Sequence, residues 1–146
     1  MGFDQALAIS ISGVEAQRRT MELISSNLAN ISTTRTLLGG PYRRKIAVLS
    51  EKPLSFDSAL TEAQLRLGGN AAGGVEVSDV VEDNAPFQKV YNPGHPDADA
   101  AGFVQMPNVN MSKEMVDMMM TSRIYEANIT AFNATKKMMQ DTLTIQ

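Results

Sequence analysis

The last third of the chain carries a row of residues, Met111, Met115, Met118, Ser122, Tyr125, Ile129, Phe132, Lys136, Met139 and Leu143, spaced in alternating steps of three and four. That period belongs to an amphipathic helix of coiled-coil type and is incompatible with a strand. Ser122 and Lys136 are its only polar members, and no Gly or Pro interrupts it after Pro107. Asn110 or Ser112 can cap its start, and Glu114 and Asp117 suit the positive end of the helix dipole. At 1.5 Å per residue the predicted helix runs roughly 50 Å, longer than a domain of this size normally buries. Met119 and Met120 fall beside the main row and widen the apolar face, so more than one neighbouring helix is expected on it.

A second helical stripe lies at the other end. Between Phe3 and Ile31 an apolar residue recurs every seventh position, at Leu7, Val14, Met21 and Leu28, with Ile24 and Ile31 on the adjoining row. Gln17 and Arg18 interrupt that second row, which leaves a helix that needs a partner. The stretch between has a different texture. Lys45 to Leu49, "GGVEVSDVVED" and "FQKVYNP" read as strands, the last two able to pair around "DNAP". "SFDSALTEAQLRL" suggests one weak helix, while "LRLGGNAAGG" and "NPGHPDADAAG" read as loops.

The expected fold is mainly α. N- and C-terminal helices pair as a coiled coil, residues 1–36 and 107–146, with a small β-rich insertion over 37–106. Two helices enclose no core of their own, so part of each apolar face must be covered by other chains.

Composition excludes several functions. With no cysteine there is no disulfide, thiolate nucleophile or cysteine zinc site. The net charge of -3, mixed in sign, gives no field for nucleic acid. No apolar run approaches a membrane span, and the first residues lack the basic start and apolar core of a cleaved secretory signal. His95 is the only histidine. With Asp97 and Asp99 it offers a weak divalent-metal pattern, but a solvated turn in a Pro/Gly-rich loop is the far commoner outcome. The pairs Gly68-Gly69 and Gly73-Gly74 match no phosphate-binding spacing. Arg18-Arg19 and Arg43-Arg44-Lys45 are too short and too poor in stacking aromatics for nucleic acid, and are read as solvated or intersubunit ion-pairing groups. The run "EMVDMMM" is read as core or interface rather than a copper site. No enzyme constellation, cofactor site or metal site is expected.

"SSNLANISTTRT" followed by "GGPYRRK" resembles the N-terminal signature of bacterial flagellar axial proteins, and "GGPYRRK" narrows it to the proximal rod (FlgC) family. "GFVQMPNVN" and "PNVNMSKEMVDMMMTSRIYEANITAFNATKKM" resemble that family's C-terminal region. The positions carrying the likeness are Asn27, Leu28, Ala29, Asn30, Thr33, Thr34, Gly39, Gly40, Pro41, Tyr42, Arg43 and Arg44, then Tyr125, Glu126, Ala127 and Asn128.

The resemblance implies a non-enzymatic structural subunit of the rod, carrying torque from the rotor (MS) ring to the distal rod and hook for motility. Its partners would be copies of itself, other rod subunits, the MS ring and components beside the export gate. Its route would be the flagellar type III export apparatus, without a cleaved signal, to a rod spanning the periplasm. On this reading Leu7, Val14, Met21, Ile24, Leu28, Ile31, Met115, Met118, Tyr125, Ile129, Phe132, Met139 and Leu143 are helix-packing and assembly positions. Asn27, Asn30, Thr33 and Thr34 would end the first helix and bond to adjacent subunits, with Gly39, Gly40 and Pro41 making the turn. Asn128 and Asn133 would fix the second helix's register against a neighbour. The alternatives are a different rod or hook subunit, or a coiled-coil binding module or adhesin.

Overall fold

A computed structural model describes residues 3–37, 39–52 and 73–144. The weak helix expected at 55–67, the Gly68-Gly69 pair and Leu38 lie outside them.

Helix α1 spans Phe3–Ala29, and the long helix α2 spans Met111–Thr144. Between them lie β1 (Lys45–Glu51), β2 (Val75–Glu82), β3 (Gln88–Tyr91) and β4 (Phe103–Met106). Of the two expected caps for α2, Asn110 is the one used: its Oδ1 accepts from Lys113 N at 3.1 Å. At the C-terminal end of α1 the carbonyl of Ser26 accepts from the backbone N of Asn30 at 3.1 Å and from its Nδ2 at 2.9 Å, so the Asn30 side chain reinforces the last helical turn. Gly39 and Gly40, both at positive φ, turn the chain outward within a loop closed by Thr36 N donating to Gly40 O at 2.9 Å.

The helices lie antiparallel. Asn27 of α1 bonds Glu114 of α2, and Gly13, fourteen residues back along α1, faces Asn128, fourteen residues on along α2. Phe3 therefore lies level with Met138, and the end of α2 runs past the first described residue of α1. The row of α1 that follows this register is Ala6, Gly13, Thr20 and Asn27, and that of α2 is Glu114, Thr121, Asn128 and Thr135. Small and polar residues thus form the seam, whereas the sequence periodicity pointed to the larger apolar rows. Those rows flank it: Leu7, Val14, Met21, Leu28, Met118, Tyr125 and Phe132 are half-buried, and Met115, Ile129, Met139 and Leu143 are exposed. Small residues let two backbones approach, so bulky side chains are displaced to the sides.

The strands form two separate antiparallel pairs, β1 with β2 and β3 with β4. This corrects the expected pairing of "GGVEVSDVVED" with "FQKVYNP" around "DNAP". Asp83 N donates to Arg44 O at 2.8 Å, extending the β1–β2 ladder. The carbonyls of Asp83 and Ala85 are taken by Asn108 Nδ2 at 2.9 and 3.3 Å, so "DNAP" leads the chain on to β3 without pairing β3 with β2. β4 was missing from the strand expectations; it pairs residue for residue with β3, and Tyr91 meets Phe103 edge-on at 5.3 Å.

The β1–β2 ribbon lies along α1. Lys45 is bonded at Asn27, and Val75 N donates to Ser12 Oγ at 3.1 Å. Ser12 to Asn27 is about 22 Å of helix, and the seven residues of β1 extend about 23 Å, so strand and helix match in length. A Cβ on Gly74, which sits at positive φ, would overlap the Ser12 hydroxyl.

Most of the buried side chains gather at one end of the helix pair. Ile24, Asn27, Tyr42, Val104, Pro107, Val109, Glu114 and Thr121 are buried there, with Ala16 further along α1. From Ser122 to Thr144 no described residue is buried.

Candidate functional site

The buried end is organised around polar groups. Asn27 is 1% exposed and Glu114 0%. The Asn27 amide is fully used: Nδ2 donates to Lys45 O at 2.9 Å and to Glu114 Oε2 at 3.1 Å, while Oδ1 accepts from Lys45 N at 2.9 Å and from Tyr42 OH at 3.0 Å. One side chain of α1 thereby mimics a strand partner for Lys45 and fixes where β1 begins. Glu114 takes Arg44 Nε on its other oxygen, and Arg44 Nη2 donates to Asp117 Oδ2 at 3.1 Å. Arg44 Nη1 also stands 4.0 Å from Asp83. The backbone N of Arg44 donates to Asn108 Oδ1 at 2.8 Å. The clasp therefore ties α1, β1, the segment entering α2 and α2 itself, and no buried side-chain polar atom is unpaired among the described residues.

Two sequence expectations are corrected here. Arg44 is no solvated or intersubunit ion-pairing group: its side chain is 12% exposed and held between carboxylates of its own chain. Glu114 does more than face the helix dipole; it is the inward partner of that guanidinium. Buried charges are stable only when paired and hydrogen-bonded, and the planar guanidinium fork supplies both. Arg43 turns the other way and stacks over the Phe87 ring at 4.5 Å.

Outside the clasp the surface is unusually apolar. Met111, Met115, Val116, Met119, Met120 and Ile124 are exposed around the first turns of α2, Met120 by 65%. The same holds for Ile11 on α1 and for Met138, Met139 and Leu143 toward the far end of α2. Between α1, β1 and α2 a cavity of about 190 Å³ is lined by Thr20, Ile24, Ile46, Met120, Thr121 and Ile124 among others. Among the described residues no three His, Asp or Glu side chains come together as metal ligands, and no helix is long and apolar enough to cross a membrane.

Residues 7–35 match the family described as "Flagella basal body rod protein", and residues 100–145 match that described as "Flagellar basal body rod FlgEFG protein C-terminal". The matched segments are the two helices with their flanks. The flagellar basal-body rod protein FlgC of Bacillus subtilis (strain 168) is 49% identical over 144 residues, covering 96% of this chain and 95% of the relative. The FlgC protein of Salmonella typhimurium is 42% identical over 94% of this chain and 92% of its own, and that of Borreliella burgdorferi 38% over 99% and 98%. The chain belongs to the FlgC family of flagellar basal-body rod proteins.

As a FlgC-family protein it is a structural subunit of the basal-body rod rather than an enzyme, located in the flagellar basal body and assembling with other components of it. Its signature residues divide by position. Asn27, Tyr42 and Arg44 enter the clasp, which withdraws Asn27 from the surface where contact with an adjacent subunit was expected. Asn30 and Thr33 close the end of α1, where Thr33 Oγ1 donates to Asn30 Oδ1 at 3.2 Å. Thr34 Oγ1 donates to Asp97 Oδ2 at 2.7 Å, tying the "HPDAD" loop to the α1 exit, and within that loop His95 Nδ1 accepts from Asp97 N. Gly39, Gly40, Pro41 and Arg43 line an open groove together with Phe87 and Glu82. Asn128 faces Gly13 of its own chain, whereas Glu126, Ala127 and Asn133 are exposed. Ile24 is buried in the core, and Leu28 and Ile31 are half-buried. Sequence reasoning missed Glu114, Asp117 and Asn108 as partners of Arg44; the available signal was a carboxylate, Glu114, at the head of the row of short residues Thr121, Asn128 and Thr135.

Proposed function

We propose that this rod subunit assembles helically in the proximal rod with copies of itself and with other axial subunits, and carries torque from the MS ring toward the distal rod and hook. In this reading the helical unit, residues 1–36 and 107–146, forms the axial core through coiled-coil packing, and 37–106 is its outward insertion. The subunit reaches a rod that spans the periplasm through the flagellar type III export apparatus.

The observation that carries the reading is the uncovered apolar surface of both helices. Met115, Met119, Met120 and Ile124 on one helix and Ile11 on the other are exposed, with none of the described residues covering them. Surface of this kind on an open-ended helix pair favours a heterologous contact, which propagates into rings or helical arrays instead of closing as a dimer. Leu7, Val14, Met21, Tyr125 and Phe132 then pack against neighbours as well as against their own chain, and the exposed Met139 and Leu143 pack against neighbours.

The test is a density map of isolated basal bodies from cells carrying a small tag in the exposed loop near Pro93. Tag density on the rod next to the MS ring is the expected result. Density only on the distal rod or hook, or none in the basal body, would overturn the assignment.

A further inference from the structure

The seam between the helices repeats every seven residues on both sides. Ala6, Gly13 and Thr20 on α1 and Thr121, Asn128 and Thr135 on α2 are all small or short, and the flanking apolar rows repeat with the same period. Sliding one helix past the other by a heptad would therefore set the same short-residue rows against each other along the arm, where the Gly13–Asn128 contact is the main steric feature that differs, and one that a swing of the amide relieves. What does not repeat is the buried end: only Glu114 meets Asn27 and Arg44 at once, and the backbone of Lys45 holds Asn27 from the other side.

We infer that the Asn27–Arg44–Glu114 clasp is a register lock, selecting one of several heptad-equivalent antiparallel alignments of α1 and α2. In a slipped alignment the Glu114 carboxylate would leave both donors, and Arg44, next to Lys45 whose backbone is held by Asn27 of α1, could not follow it. A buried ion pair contributes little net stability compared with apolar groups of equal size, yet buried polar groups are well suited to fixing register. The lock acts within a single chain and does not depend on rod assembly. Its consequence for assembly is that every subunit presents its exposed methionines at the same height relative to its β ribbon.

Because the chain has no cysteine, engineered pairs report alignment without interference. Thr20 and Thr121 line one cavity and lie opposite each other in the observed register. In the purified full chain, the Thr20→Cys/Thr121→Cys pair forms an intramolecular disulfide on mild oxidation, and Thr20→Cys/Asn128→Cys, one heptad along, does not. Both pairs are then placed in an Arg44→Met/Glu114→Leu background, which removes the two charges while keeping buried volume. There the first crosslink falls severalfold and the second appears, with helicity by circular dichroism retained. An undiminished first crosslink would overturn the inference, since the apolar plug of Val104, Pro107 and Val109 would then set the register alone. Loss of helicity would overturn it too, as would absence of the first crosslink in the parent chain. Recovery of the parent chain in isolated basal bodies is scored separately and tests only the rod assignment.

Discussion

Gly13 of α1 sits directly against the side-chain amide of Asn128 on α2: a Cβ at Gly13 would lie 2.8 Å from Asn128 Nδ2. The amide makes no hydrogen bond among the described residues, so it is free to swing aside. Gly13→Ala should then leave the helix pair intact, because about 1 kcal/mol of improved helix propensity offsets a small displacement. Gly13→Leu has no such escape and should separate the helices along the arm. Thermal unfolding monitored by circular dichroism checks the pair: an unchanged or raised midpoint for alanine, and a clearly lowered one for leucine.

Asn27 makes four hydrogen bonds to three residues, Tyr42, Lys45 and Glu114. Asn27→Ala leaves Lys45 N without an acceptor and Lys45 O and Glu114 each short of a donor in a buried place, and should cost roughly 2–4 kcal/mol. Asn27→Asp also sets a second carboxylate against Glu114 and should cost more. Urea unfolding measures both, with a lower midpoint and an unchanged slope as the expected outcome.

Arg44→Lys keeps the charge and loses the fork. A single ammonium cannot reproduce the simultaneous bonds from Nε to Glu114 and Nη2 to Asp117, so about 2 kcal/mol of stability should go despite the conservative exchange. The same urea titration reads the effect, and equal midpoints for the two chains would contradict it.

Met115→Asp combined with Met119→Asp places charge on surface that the described residues leave exposed. Stability of the isolated chain should stay within about 0.5 kcal/mol of the parent. Incorporation into basal bodies and swimming should both be lost. Swarm-plate diameter and immunoblots of isolated basal bodies are the readouts.

Much of this architecture is legible in the sequence, because helical periodicity sustained through segments of 27 and 34 residues has few other solutions, even with the first stripe interrupted at Gln17 and Arg18. The faces were harder to assign. Large apolar residues dominate the pattern at Leu7, Met21 and Met115, yet the chain's own contact runs through Gly13, Thr20 and Thr121, whose small size is what permits close approach. Periodicity marks which residues avoid water without saying whether they do so within one molecule or between several. The clasp was hidden for another reason: Asn27, Arg44 and Glu114 are far apart in sequence, and each taken singly reads as an ordinary polar residue. The strand partners were misjudged because Asn108, a side chain from beyond β4, takes the carbonyls that a turn at "DNAP" would have used.

The ribbon of β1 and β2 is fastened to α1 at both of its ends, at Asn27 through Lys45 and at Ser12 through Val75. A beam pinned at two points cannot pivot about either. The ribbon therefore acts as a splint on the first helix, and any load a neighbour applies to it is delivered to α1 as bending or twist instead of being lost in a hinge.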